Sequence, residues 1–374
     1  MSPRSSAPRV VVIGGGIFGV ATALHLVRRG ADVTLVTEAG FAAGASGRSL
    51  SWLNSSRMRS AAYHHLRMAG IDRYRTLAAR HPGLSWLRFD GGLTWDANDG
   101  SNEIAAAYAH ERGLGYDAVL LQADEVAAIT PGVDTRTITP QGAIFNPGEG
   151  WVDLPSLIRH LLPEFTARGG HTVADAGRAR VDIENGRVTG VTTAQAGRFA
   201  ADAVLVAAGP ATPHVAAESG ITIPDATPIS LLLETAPADT QLHAVLNTPR
   251  VAIRPTPSGS FVLDSAWSEE EVVTRPDGTY DIRQSTLDGL LLEASKVLAG
   301  NPTLTLARYG VGPKPIPKDG EPVFGPVDGI AGYHVAFSHS GATLGLIAGE
   351  LLADEIVTGT PHPLLAPFGV SRFR

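Results

Sequence analysis

Cysteine is absent from the 374 residues. Its absence removes disulfides, thiolate zinc sites, iron–sulfur clusters, a thiol nucleophile, a redox dithiol and any cysteinyl link to a cofactor. A redox role would therefore route its electrons through a bound organic group. Lysine is almost missing as well: Lys296, Lys314 and Lys318 stand against 27 arginines, so each lysine is an unusual choice. Positive charge is in deficit, with 30 basic against 37 acidic residues, and no global field exists to hold a phosphodiester backbone. Nucleic acid is not an expected partner. No HExxH and no cluster of carboxylates occurs, and His64 and His65 are merely adjacent, so no metal site is expected. Long apolar runs are also lacking. Met1–Arg9 followed by Val10–Leu24 imitates a secretory signal, but four glycines interrupt the run and the pattern continues as an amphipathic helix through Val27. It is too short for a span, which needs about 20 apolar residues. The expectation is a cytoplasmic protein without a membrane span.

What is present reads as a folded chain of two or three lobes, at roughly 100–200 residues each. After a polar tail at residues 2–8, expected to be disordered, Arg9–Ile13 is a β-branched run suited to a parallel sheet buried on both faces. Gly14–Gly16 is a turn. Ile17–Arg29 has helical spacing and ends before Gly30, and Asp32–Thr37 is a second strand closed by Glu38. Within this βαβ opening, Gly14-x-Gly16-x-x-Gly19 has a reason at each position. Gly14 makes the tight turn, Gly16 admits a pyrophosphate, Gly19 lets helix and strand pack closely, and Glu38 accepts from ribose hydroxyls. An acid at position 38 favours NAD or FAD over NADP.

Further along, Tyr63–Arg80, Asn102–Arg112, Asp153–Arg168 and about Thr286–Leu298 read as helices. Ala179–Ile183, Val188–Thr192 and Arg198–Ala200 read as a β-meander around Asn185-Gly186. Ala203–Ala208 and Tyr333–Phe337 are parallel-type strands, and Ala342–Thr358 is a helix stopped by Gly359. The parallel-sheet segments fall at the start, middle and end of the chain, so one domain must be discontinuous.

Several segments then resemble a known family. Gly44-Ala45-Ser46-Gly47-Arg48-Ser49 followed by Leu50-Ser51-Trp52 is similar to the second flavin-contact loop of the D-amino-acid oxidase superfamily, which includes glycine and sarcosine oxidases. In order follow Gly91-Gly92-Leu93, Gly150-Trp151-Val152-Asp153-Leu154-Pro155, Val204–Gly209, Gly310-Val311-Gly312-Pro313-Lys314-Pro315 ahead of Asp319-Gly320, and Ala336–Gly345. The resemblance covers essentially the whole chain.

It implies an α/β plus α+β fold: a Rossmann-like FAD-binding domain over 8–82, 146–227 and 305–370, with a discontinuous antiparallel-sheet substrate domain over 83–145 and 228–304. The implied FAD contacts are Gly14, Gly16, Ile17, Phe18, Gly19, Glu38, Ala45, Ser46, Arg48, Ser49, Leu50, Val181 at the adenine, Ala208, Gly209, Gly341, Ala342, Thr343 and Leu344. Donors at the start of the Gly341–Leu344 helix would stabilise negative charge on reduced flavin. The FAD is expected to be non-covalent, since there is no cysteine and the loop Gly44–Asn54 has no histidine.

The implied reaction is oxidation of the C–N bond of an amino acid or secondary amine. Hydride passes to flavin N5, the imine hydrolyses, and oxygen or another carrier reoxidises the flavin. A flavin-binding subunit of a hetero-oligomeric dehydrogenase and a flavin monooxygenase are the alternatives, and a homodimer is compatible with the chain. The family places a carboxylate-binding arginine where this chain has Lys314, and a lysine supplies a point charge without a planar fork. Lys314 either holds a carboxylate, faces another group, or lies near the flavin to help oxygen. Trp52 as a pocket wall or core residue, His339 before the anion-binding turn, and Arg254 beside Val251–Ile253 complete the candidates.

Overall fold

The computed structural model describes residues 7–374. Residues 2–6 of the expected polar tail lie outside them. The chain divides into two units, Met1–Gly47 with Leu154–Pro228 and Pro313–Arg374, and Arg48–Asp153 with Ile229–Gly312.

The first unit is built on a six-stranded sheet in the order Val323–Pro326, Tyr333–Phe337, Ala203–Val206, Arg9–Ile13, Asp32–Val36, His171–Val173. All neighbours are parallel except the Val323–Pro326 edge. Val10–Ile13 are apolar without alternation because the strand sits mid-sheet, and all four are buried. Ile17–Arg28 packs against both Leu154–Ala167 and Gly341–Thr358. The meander Ala179–Glu184, Arg187–Thr193, Gly197–Ala200 forms a separate antiparallel sheet.

The second unit carries an eight-stranded sheet: Leu306–Pro313, Ile229–Thr235, Phe261–Asp264, Ala252–Pro255, Val245–Asn247, Gly92–Thr94, Ala143–Asn146, Val119–Leu121. Its register puts Leu233, Leu263, Ile253, Leu246 and Leu93 side by side on one face. That row forms one core with Leu287, Leu290 and Ala294 of the helix Gln284–Val297. By strand alternation the opposite face carries Gly92, Thr94, Asn146, Asn247 and Arg254. A small sheet sets Gly150–Val152 between Trp52–Leu53 and Leu87–Arg88.

Those last pairings explain where the units differ from the expected 8–82 and 146–227. Residues 48–82 and 146–153 group with the second unit because Trp52–Leu53 and Gly150–Val152 bond to each other and to Leu87–Arg88. A second difference concerns Gly310–Pro315: Gly-x-Gly-Pro has the spelling of a turn, but Leu306–Pro313 is one continuous edge strand. Among the described residues no helix is long and apolar enough to cross a membrane, and no three His, Asp or Glu residues gather as metal ligands.

Candidate active site

Three glycines open the first unit's cradle, for different reasons. Gly14 has φ +124°, and a Cβ there would stand 2.1 Å from the Ala207 carbonyl oxygen. A Cβ at Gly19 would stand 1.9 Å from the Gly14 carbonyl oxygen. These two are demanded by the protein's own packing. Gly16 is not: its φ of −82° suits any residue, and a Cβ would meet only the Ser46 Oγ, at 3.1 Å. Space left open at the start of a helix, where neither backbone strain nor packing requires it, is what a pyrophosphate needs. The helix that follows has no side-chain cap at Gly16 and no acid in its first turn, so its positive end is unopposed. The Ile17 N–H donates to Ser46 Oγ at 3.0 Å, which ties the loop Ala45–Gly47 to this turn. Glu38 is exposed just past the second strand, and among the described residues no side chain donates to it.

Gly341–Thr358 repeats the arrangement. Ser340 makes no side-chain cap and the first turn has no acid. The two helices cross closely because Gly345 and Gly349 lack side chains: a Cβ would lie 2.3 Å from Ile17 and 2.6 Å from Ala21, respectively. Ile17 is buried in that crossing, and Phe18 meets Phe324 edge-on at 5.4 Å. Ala342, Thr343 and Leu344 are buried in the first turn, whereas His339 just before it is exposed. Ala208 and Gly209 follow Ala207 just beyond the strand Ala203–Val206, and Gly209 has φ +57°. The side chain of Val181 is core, clustered with Val36, Val188 and Val191, so only its main chain is left to meet a ligand.

In the second unit Arg48, Ser49 and Leu50 are half-buried, and Ser49 Oγ accepts from the Ser51 N–H at 3.0 Å, a turn in which Ser51 takes φ +57°. Arg48 explains the glycines at 310 and 312. A Cβ at Gly312 would stand 2.8 Å from its guanidinium and one at Gly310 2.9 Å from its Cδ. These glycines clear a lane for Arg48 and do not form a turn aiming Lys314. Lys314 itself follows the strand, half-buried, its main-chain N–H bonded to Pro228 O at 2.9 Å.

The polar face of the large sheet holds the most unusual group. Arg254 is 3% exposed, forms no ion pair among the described residues, and donates only from Nη1 to Pro255 O at 3.2 Å, leaving Nε bare. Its guanidinium lies 5.3 Å from the centre of the Trp151 ring. Burial draws its pKa down to about 10, so it stays charged at neutral pH. Trp52, directly opposite Trp151, is half-buried.

Beside the tryptophans runs a buried network that sequence reasoning missed. Glu149 accepts from Tyr116 O–H at 2.5 Å and from the Ser55 N–H at 3.2 Å. Ser55 Oγ pairs with His64 Nδ1 at 2.8 Å, and Glu111 accepts from Asn146 Nδ2 at 2.9 Å and from the Arg57 N–H at 2.6 Å. His64 is thus buried and held, while His65 is exposed. Nothing periodic marks Glu149, which sits in a Pro-Gly turn signal; Trp151 belongs to the segment Gly150–Pro155, but no neighbour in sequence gives its indole a role.

A doubly wound sheet with an open glycine cradle, joined in sequence to a large mixed sheet in which Val245–Asn247 runs parallel to Gly92–Thr94 where an antiparallel sheet is expected, defines a dinucleotide-binding protein. The chain belongs to the DAO family of FAD dependent oxidoreductases, whose profile matches residues 9–355. It is 28% identical to the glycine oxidase of Pseudomonas aeruginosa, covering 96% of this chain and 97% of that one. It is 27% identical to a D-amino acid dehydrogenase of Cereibacter sphaeroides, covering 98% and 95%. In fold it is similar to the L-amino acid deaminase of Proteus myxofaciens, with a TM-score of 0.84 at 17% identity over 100% of this chain and 95% of that one.

Proposed function

We propose that this FAD-dependent oxidoreductase oxidises the C–N bond of an amino acid, and that Arg254 anchors the substrate carboxylate. The observation that carries the reading is the buried guanidinium without a carboxylate partner. Burying a charge is costly unless something pairs with it; Asp153 and Glu234 act on this guanidinium only through their charge, without an ion pair to it, and Glu234 already accepts from Arg308. A ligand carboxylate supplies the missing partner in two parallel hydrogen bonds, with Trp151 beneath the guanidinium. The glycine oxidase and D-amino acid dehydrogenase relatives agree with this substrate class.

FAD, held without a covalent link by the cradle of Gly14, Gly16, Gly19, Ser46, Glu38 and the Gly341 helix, supplies the two-electron acceptor. The chain's own share is to orient: the carboxylate fixed at Arg254 limits where the α-carbon stands, and the indoles of Trp52 and Trp151 keep that region apolar. Arg254→Met should weaken binding of a simple carboxylate roughly 10- to 150-fold, the worth of a buried charge-assisted contact, with FAD content unchanged. Titrating the bound flavin's absorbance with isobutyrate reads this directly. Unaltered isobutyrate affinity in Arg254→Met, with a loss in Lys314→Met, would move the anchor to Lys314.

A further inference from the structure

Among the buried polar atoms on this face of the second unit without a partner among the described residues are Arg254 Nε, Trp151 Nε1 and Glu149 Oε2. They are connected. Glu149 Oε2 and the Trp52 indole both lie over Gly92, where a Cβ would be 2.3 Å from the first and 2.9 Å from the second. Trp52 faces Trp151 across the small sheet, and Arg254 lies over Trp151. A cationic end and a carboxyl end are thus joined by two indoles. The other oxygen of Glu149 is fully engaged by Tyr116 and Ser55, so only Oε2 is left for a ligand.

We infer that Glu149 receives the nitrogen end of the substrate, its Oε2 accepting a hydrogen bond from the ammonium group and then the proton that the amine must shed before it can give up hydride. The assignment rests on the reading of Arg254 as the carboxylate anchor. In the transfer one N–H bond breaks and one O–H bond forms; the amine keeps its lone pair and no electrons change hands. The groups facing Glu149 are Tyr116, Glu111, Arg67 and Arg59, with His64 behind Ser55. Burial raises the carboxyl to about 8, with Glu111 pushing the same way and Tyr116, Ser55 and Arg67 opposing. Unliganded Glu149 therefore holds a proton at pH 7. With Oε1 accepting from two donors, that proton sits on Oε2. An arriving ammonium group must displace it to solvent, so binding releases a proton.

The test uses the FAD-loaded protein and two probes of one skeleton, 2-aminoisobutyrate, which has no α-hydrogen to lose, and isobutyrate, which has no nitrogen. Calorimetry in two buffers of different ionisation enthalpy counts the protons. For 2-aminoisobutyrate, the wild type should release about one proton at pH 7, and affinity should rise about tenfold per pH unit up to a midpoint near 8. Glu149→Gln should abolish the release and the pH dependence and leave isobutyrate binding unchanged. Tyr116→Phe removes a hydrogen bond that favours the ionised carboxylate, so its midpoint should move upward. Unchanged proton release in Glu149→Gln, or equal weakening of both probes, overturns the inference. Should Glu149→Gln fail to take up FAD, an unmoved midpoint in Tyr116→Phe overturns it instead. Failure of isobutyrate to bind the wild type removes the Arg254 reading itself, which separates the two.

Discussion

At the scale of single residues, the three glycines of the cradle should behave differently when substituted. Gly14→Ala and Gly19→Ala each drive a methyl group into a carbonyl oxygen about 2 Å away, and Gly14 adds a positive φ. Both should lower the melting temperature of the FAD-free protein. Gly16→Ala meets only a serine oxygen, so the FAD-free protein should melt within about 0.5 kcal/mol of wild type while its flavin content collapses. Equal losses of stability in all three would show that Gly16 is a packing residue. The cradle was legible in the sequence because each of its glycines answers a local demand, within one turn and its neighbouring strand. Gly310 and Gly312 were not legible as what they are. Their spacing reads as a turn, but the reason for both is the side chain of Arg48, a contact made only in the folded chain. Glu149 was hidden for the same reason: a buried carboxyl is defined by Tyr116, Ser55 and Gly92, which come from three other segments.

At the scale of elements, the strands of the parallel sheet were the most legible, since burial on both faces leaves a run of apolar residues with no other use. The helices Ala123–Ile129, Thr212–Ala217 and Ala266–Glu270 went unread because one or two turns give too few residues for a period to appear. What periodicity also could not reveal is the distance between helices. Gly345 and Gly349 stand one turn apart on the face that meets Ile17 and Ala21, and this lets the two helices bring their open N-termini together. Gly345→Ala should therefore cost about 1–3 kcal/mol by overpacking. Ile17→Val, which trims the side chain that the new methyl would strike, should recover part of that loss. A double-mutant cycle on the thermal midpoint should give a coupling of about 0.5 kcal/mol or more, and strictly additive losses would mean that the crossing has another origin.

Across the whole molecule, the buried titratable groups oppose one another and so define a pH window of stability. His25 and His334 are both drawn down to about 4, chiefly by burial, and His64 is lowered by burial as well. Each binds its proton more weakly when folded, so each withdraws stability as pH falls below about 6.5. Glu164, held at about 2 by Arg28 and Arg168, adds an acid limb below about 4.5. Glu149 has the opposite sign. Its folded pKa of about 8 lies above its unfolded value, so the native state holds a proton that the unfolded chain has already lost, and stability declines as pH rises toward 8. From about pH 6.5 to 8 the slope that separates the wild type from a protein without this carboxyl belongs to Glu149, at most about 1.4 kcal/mol per pH unit. Measured against Glu149→Gln, the unfolding midpoint of the wild-type protein should therefore fall across this window, and the gap should level off above it. Glu149→Gln carries no such proton, so its midpoint should rise as the unfolded-state histidines lose their last protons and flatten above about pH 7.5, whatever its absolute height. Parallel curves for the two proteins would mean that Glu149 is already ionised in the native state at neutral pH.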